Sequence, residues 1–245
     1  MRSSNPVFRS LEHTHAYETT DVASYGGIVS KTAILLLTAI ASGYLAISYL
    51  PFESLIPLMG VSFIVALISV IVASRSMRLA PPFAILYALA EGVILGLITV
   101  IFEAFVPGVA LAAVIGTASI FGVMLFLYSS RTIRVTPRFR RIMYTILFGI
   151  LAFVVVQLIL SLFGINLYID SATGGFNGLA LVISGFFIIY GALLLTLDFD
   201  RAEMIVSGGV DRRAEWMVAV GLMVTLIWIY IELLRFLAIV ASRRN

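Results

Sequence analysis

The chain is 245 residues long, 61% hydrophobic and only 12% charged, with a formal net charge of +3. This composition excludes an ordinary water-soluble domain, and the absence of cysteine excludes disulfides, thiolate metal sites and a cysteine nucleophile. The small positive charge is spread along the chain as a topology signal, not gathered into a nucleic-acid patch.

Residues 1–30 form a polar arm, read as cytoplasmic, that carries both histidines, His13 and His15, together with Glu12, Glu18 and Asp21. The arm lacks the short apolar core of a cleavable signal peptide. A His-x-His pair can bind metal, but without further ligands it reads as solvated tail. Seven apolar segments follow, near 32–50, 54–73, 83–105, 109–128, 142–164, 177–197 and 217–241. Each runs for about 20 residues, the length that crosses roughly 30 Å of hydrocarbon. The expected fold class is an all-α polytopic membrane protein, with 31–245 forming a seven-helix transmembrane domain in a lipid bilayer. A β-barrel would need segments of about ten alternating residues, and the chain does not read that way.

Segments 1 and 2 meet around Pro51 and Glu53, and segments 3 and 4 around Pro107-Gly108, so both pairs are predicted to be tight antiparallel hairpins. In segment 3, Glu91 stands beside Gly92 and Gly96, a spacing that lets another helix approach closely. An ionised side chain at a helix centre costs about 2.5–3.5 kcal/mol on the insertion scale. Glu91 is therefore either a protonated or hydrogen-bonded packing residue or a ligand for an ion or proton. The small residues Gly116, Ser119 and Gly122 of segment 4 form a second face suited to close packing. The loop 165–176, with Asp170 and Gly174-Gly175, contains no Lys or Arg.

Seven crossings put 13 of the 16 Lys and Arg residues on one side, including Lys31, Arg75, Arg78 and the run Arg131 to Arg141. The positive-inside rule makes that side, and the N-terminus, cytoplasmic. Arg243 and Arg244 then fall outside; a re-entrant segment 7 would remove that conflict, but seven crossings are preferred.

Segment 6 runs straight into Asp198, Asp200, Arg201 and Glu203. Upstream of Asp198, Gly191, Ser184 and Asn177 recur at intervals of seven. At about 100° per residue each step drifts only about 20°, so these residues share one stripe. The stripe is either close-packing surface with Asp198 in water at the membrane edge, or a face turned toward other helices. In segment 7, Gly221, Thr225, Trp228, Glu232 and Arg235 fall within an arc of roughly 80°. Glu232 and Arg235 are spaced to pair with each other. The two polar faces are expected to meet. Arg75 and Arg78, on the same side as Asp198, are candidate partners for a pH-sensitive latch, because protonation would weaken a carboxylate–arginine contact.

Four stretches together resemble the bacterial branch of the transmembrane Bax inhibitor motif family, the Bax inhibitor-1/YccA-like proteins. They are Ala90-Glu-Gly-Val-Ile-Leu-Gly96, Leu127-Tyr-Ser-Ser-Arg131 with Thr136-Pro137, Leu195-Thr-Leu-Asp-Phe-Asp200 and Ile229-Tyr-Ile-Glu-Leu-Leu-Arg235. The resemblance implies seven helices with the seventh central to the other six. It also implies a pH-gated calcium leak working through two aspartates, on the sixth and seventh helices. Asp198 matches the first; the second falls near Thr225, which cannot ionise usefully.

The leading expectation is thus an ion-leak protein for Ca²⁺, gated near Asp198 at the cytoplasmic end of helix 6. Asp198, Asp200, Arg75 and Arg78 are the candidate sensor residues, and Glu91, Thr225, Glu232 and Arg235 the candidate ion-path residues. Asp198 and Glu91 are candidate Ca²⁺ ligands, and Ca²⁺ would be a transported ion, with no cofactor expected. The alternative is a non-conducting regulator that binds another membrane protein, such as a membrane protease. An enzyme is not expected: no histidine lies in any segment, and no Gly-x-Gly-Asp stretch or phosphate-cradling loop is present.

Overall fold

The computed structural model describes residues 22–163 and 178–242. His13, His15, the loop 165–176, Asn177 and the terminal Arg243 and Arg244 lie outside them. Seven helices account for nearly all the described residues: α1 (Tyr25–Tyr49), α2 (Phe52–Arg75), α3 (Ala80–Phe105), α4 (Val109–Ser129), α5 (Pro137–Leu162), α6 (Gly178–Ser207) and α7 (Ala214–Ser242). All seven are long and apolar enough to cross a membrane.

Local chemistry sets the helix ends. Ser24 caps α1 by accepting from the Gly27 N–H at 3.0 Å. Pro51 at the entry to α2 and Pro81-Pro82 in the first turn of α3 occupy positions where a missing N–H costs nothing. Thr136 caps α5, with Pro137 as its first residue. Between α3 and α4 the chain turns through Gly108 at φ +86°, a left-handed conformation suited to glycine. Glu103 closes that hairpin by accepting from the N–H groups of Gly108 and Ala110 at 2.5 and 2.9 Å.

Helix α7 is the axis of the bundle. Over half of its most apolar stretch is buried in protein (56%), against a third or less for every other helix. Ala219, Val220, Met223 and Ile227 pack against Leu35 and Ala39 of α1 and Ala84, Tyr87 and Ala88 of α3. Val218, Leu222, Leu226 and Ile229 meet Met124 of α4 and Leu195 and Phe199 of α6. Leu234 meets Val109 and Ala113 of α4. The outer helices instead turn large side chains such as Leu37, Phe148 and Phe153 outward, which water would penalise and lipid does not.

Lipid is as apolar as leucine, so close contact rather than hydrophobic drive holds such helices together. The tightest approach is between α1 and α3. A Cβ on Gly92 would overlap the Ala39 backbone, and one on Gly43 would lie 2.5 Å from the Gly92 carbonyl oxygen. The small face expected on α4 is used differently: Gly116 seats Leu233 of α7, whereas Gly122 faces open space.

Every helix extends past its predicted segment at one end or both, α1 and α6 the furthest. The arm was expected to run to residue 30, but residues 25–30 already belong to α1. Gly26 and Gly27 look like a loop, yet Gly27 is where the Glu215 carboxylate packs against the helix. Fully buried Glu215, at the start of α7, accepts from the Ser24 N–H at 2.7 Å and the Ser24 hydroxyl at 3.2 Å, and pairs with Lys31. The Lys31 ammonium also lies 5.6 Å from the Trp216 ring centre. An antiparallel bridge between Val22 and Asp211 completes the clasp. The start of α1 is thereby fastened to the start of α7. Helix α6 likewise runs past residue 197 to Ser207, carrying its acidic residues on continuous helix.

Candidate functional site

The stripe along α6 faces α7. Ser184 is fully buried. A Cβ on Gly191 would come within 2.8 Å of the Ile229 Cγ1 of α7. Asp198 reaches the turn between Gly221 and Thr225: the Thr225 hydroxyl donates to its carboxylate at 2.6 Å, and a Cβ on Gly221 would stand 3.4 Å from its other oxygen. The small side chain at 221 thus makes room for the carboxylate, and the hydroxyl at 225 satisfies it. The position where the resemblance puts a second aspartate holds a hydrogen-bond donor instead. Arg201 follows one turn further along α6, and no ion pair to Asp198 forms among the described residues. Arg75 and Arg78 are exposed around the C-terminal end of α2, and neither forms an ion pair among the described residues.

The other acids of α6 point elsewhere, as the 100° step of a helix requires. Asp200 pairs with Arg140 of α5 at 2.5 Å. Glu203 accepts from the Tyr128 hydroxyl at 2.5 Å and pairs with Arg131 at 2.7 Å. That carboxylate raises the Arg131 pKa above its ordinary value by hydrogen bond and charge, keeping the guanidinium ionised. Within six residues α6 therefore contacts α7, α5 and the end of α4. The Asp200–Arg140 pair is partly solvated, so Asp200→Asn is expected to lower unfolding stability by about 1 kcal/mol or less, read as a small shift in Tm of the purified protein. A larger shift would mark this contact as a main tether of α5.

A second polar level lies about 10 Å further along α7, seven residues on at 1.5 Å each. There Glu91 and Tyr87 of α3 and Trp228 and Glu232 of α7 line a cavity of about 300 Å³. Glu232 sits 3.7 Å from Arg235. Among the described residues the Trp228 indole N–H is buried without a hydrogen-bond partner, and the Ser184 hydroxyl of α6 stands beside the Glu232 carboxylate. The structure thus brings Asp198 to Thr225 and Glu91 to Glu232, and keeps the two pairs on separate levels. Among the described residues, no three acidic or histidine side chains converge as a metal site.

Reasoning from the sequence did not single out Glu215, quoted Tyr128 and Arg131 only within a family stretch, and counted Lys31, Arg131 and Arg140 as topology charges. Their one visible signal is polarity next to an apolar run, which does not identify partners 184 positions apart, as for Lys31 and Glu215.

A search of curated proteins finds no match to the chain. A family description does fit: the Bax inhibitor 1 like model matches residues 5–242. With that match across nearly the whole chain, and seven membrane-length helices around a central seventh, the protein belongs to the Bax inhibitor 1-like family.

Proposed function

We propose that the protein is a membrane ion-leak protein that passes Ca²⁺ and whose flux is set by protonation of Asp198. The observation that carries this reading is the Asp198 carboxylate turned into the α6–α7 seam and held there by the Thr225 hydroxyl. Ionised, the carboxylate only accepts hydrogen bonds; protonated, it becomes a donor and no longer attracts Arg201. One proton thus changes what joins α6 to the central helix. Glu91 and Glu232, with the hydroxyls and carbonyls around them, are oxygen ligands of the kind Ca²⁺ prefers. The excess of basic residues at the end bearing Asp198 supports a cytoplasmic location for that end and for the N-terminus.

The test is Ca²⁺ entry into dye-loaded liposomes carrying the purified protein, across a range of pH. Wild-type flux is expected to vary with pH and Asp198→Asn flux to be flat. Thr225→Val, which removes the donor at nearly constant size, is expected to move the midpoint, and Thr225→Ser to preserve it. Identical pH profiles in wild type and Asp198→Asn would overturn the gate.

The second reading is a non-conducting regulator that binds another membrane protein. Its support is that Gly60, Gly122 and Gly149, on three outward helix faces, meet nothing within 4 Å among the described residues, leaving small-residue positions where a foreign helix could approach closely. Absent flux at every pH, with a membrane protein co-purifying from native membranes, would favour it.

A further inference from the structure

Helices α1 and α4 stand apart, and the gap between them is a groove of about 1150 Å³ floored by α3, α6 and α7. Val29, Leu36 and Ile40 of α1 form one wall, and Leu111, Val114 and Leu125 of α4 the other. From Tyr25 to Ile47 the α1 wall is about 33 Å long at 1.5 Å per residue, matching the roughly 30 Å hydrocarbon thickness. The groove therefore opens sideways into the bilayer along its whole depth.

Its chemistry separates along that depth. Within the apolar stretch the threonine hydroxyls are already used: Thr32 donates to the Ile28 carbonyl at 2.9 Å, Thr117 to the Ala113 carbonyl at 2.8 Å, and Thr99 to the Leu95 carbonyl at 2.6 Å. An acyl chain needs nothing beyond this apolar surface. At one mouth stand Tyr25, Tyr128 and Arg131, the aromatic and basic groups that favour a membrane interface. Arg131 holds a left-handed backbone (φ 59°), unusual for a non-glycine residue. Its side chain is 61% exposed, with Nη2 on Glu203. A guanidinium has five N–H donors, so most remain open to a second acceptor. From Arg131 to Arg141 the chain carries five arginines and no acid.

We propose that the α1–α4 groove binds an anionic phospholipid, with an acyl chain between the two helices and the phosphate held by Arg131. Arg131 keeps donors open after its contact with Glu203, and an anionic headgroup at the groove mouth supplies an acceptor for them. The assignment does not rest on any ion flux through the α6–α7 seam.

Native mass spectrometry of the full-length protein in mild detergent, titrated with phosphatidylglycerol or phosphatidylcholine of the same chains, tests the proposal. The wild type is expected to retain phosphatidylglycerol preferentially. Arg131→Gln is expected to weaken that binding roughly tenfold, the worth of a charge-assisted hydrogen bond, and to erase the preference. Val29→Trp with Val114→Trp fills the groove from two exposed positions and is expected to reduce retention of both lipids. Equal retention of the two lipids by the wild type, or undiminished phosphatidylglycerol retention in the double variant, would overturn it. A benzoylphenylalanine at position 114, irradiated in native membranes, gives a test that does not depend on how the variants fold. A phospholipid adduct supports the assignment; a polypeptide adduct instead assigns the groove to a partner helix and overturns it.

Discussion

Glu215→Ala is expected to be among the most damaging single substitutions in the protein, lowering unfolding stability by about 3–5 kcal/mol, the cost of removing one partner of a buried pair. The carboxylate is fully buried and satisfies three donors, the Ser24 N–H, the Ser24 hydroxyl and the Lys31 ammonium. Alanine leaves Lys31, whose side chain is only 12% exposed, charged and without its anion. It also leaves the N-terminal end of α1 without its anchor on the central helix. Thermal unfolding in detergent, followed by loss of the monodisperse peak in gel filtration, measures the effect. The double variant Lys31→Met with Glu215→Leu separates charge from packing. Because replacing both members of a buried pair with apolar groups is often neutral, it is expected to recover most of the loss. A Glu215→Ala protein as stable as wild type would show that the clasp contributes nothing.

Gly92→Ala and Gly122→Ala are expected to have opposite signs, although both place one methyl group on a helix. At Gly92 the new carbon meets backbone atoms of Ala39, which cannot rotate away as a side chain would. Helices α1 and α3 must separate, at a cost of at least about 3 kcal/mol, the upper end of ordinary overpacking. At Gly122 nothing lies within 4 Å, so alanine acts only through helix propensity and gains about 0.5–1 kcal/mol. The same thermal assay on the two variants reads both signs. A destabilised Gly122→Ala would mean that some other surface already packs against that face.

The spans and the placement of Asp198 were legible because both follow from periodicity. Runs of apolar residues reveal the crossings, and the seven-residue repeat of Ser184, Gly191 and Asp198 reveals one face. The Thr225 contact was legible only in part: the polar arc of α7 marked the residue, but its meeting with Asp198 depends on the relative height of two helices, which no single-helix pattern encodes. The ends were harder. Residues 25–30 and 198–207 are helical although polar, because Ser24 caps one end and charged neighbours occupy the faces of the other. Periodicity sought through hydrophobicity stops where the apolar run stops. Arg75 and Arg78 share an end with Asp198, and being at the same end does not bring them onto α6; α2 packs on α3 and leaves both exposed. The Gly116–Gly122 face shows the same limit, since small residues permit an approach without supplying the helix that makes it.

The three-way grip on the end of α6 has a mechanical consequence. Asp198, Asp200 and Glu203 hold it from three directions, so spinning the rod about its own long axis would strain all the holds together. Loosening the first hold alone leaves the other two as a pivot. The motion that remains is a tilt of α6 against the central shaft, hinged where Asp200 and Glu203 are held.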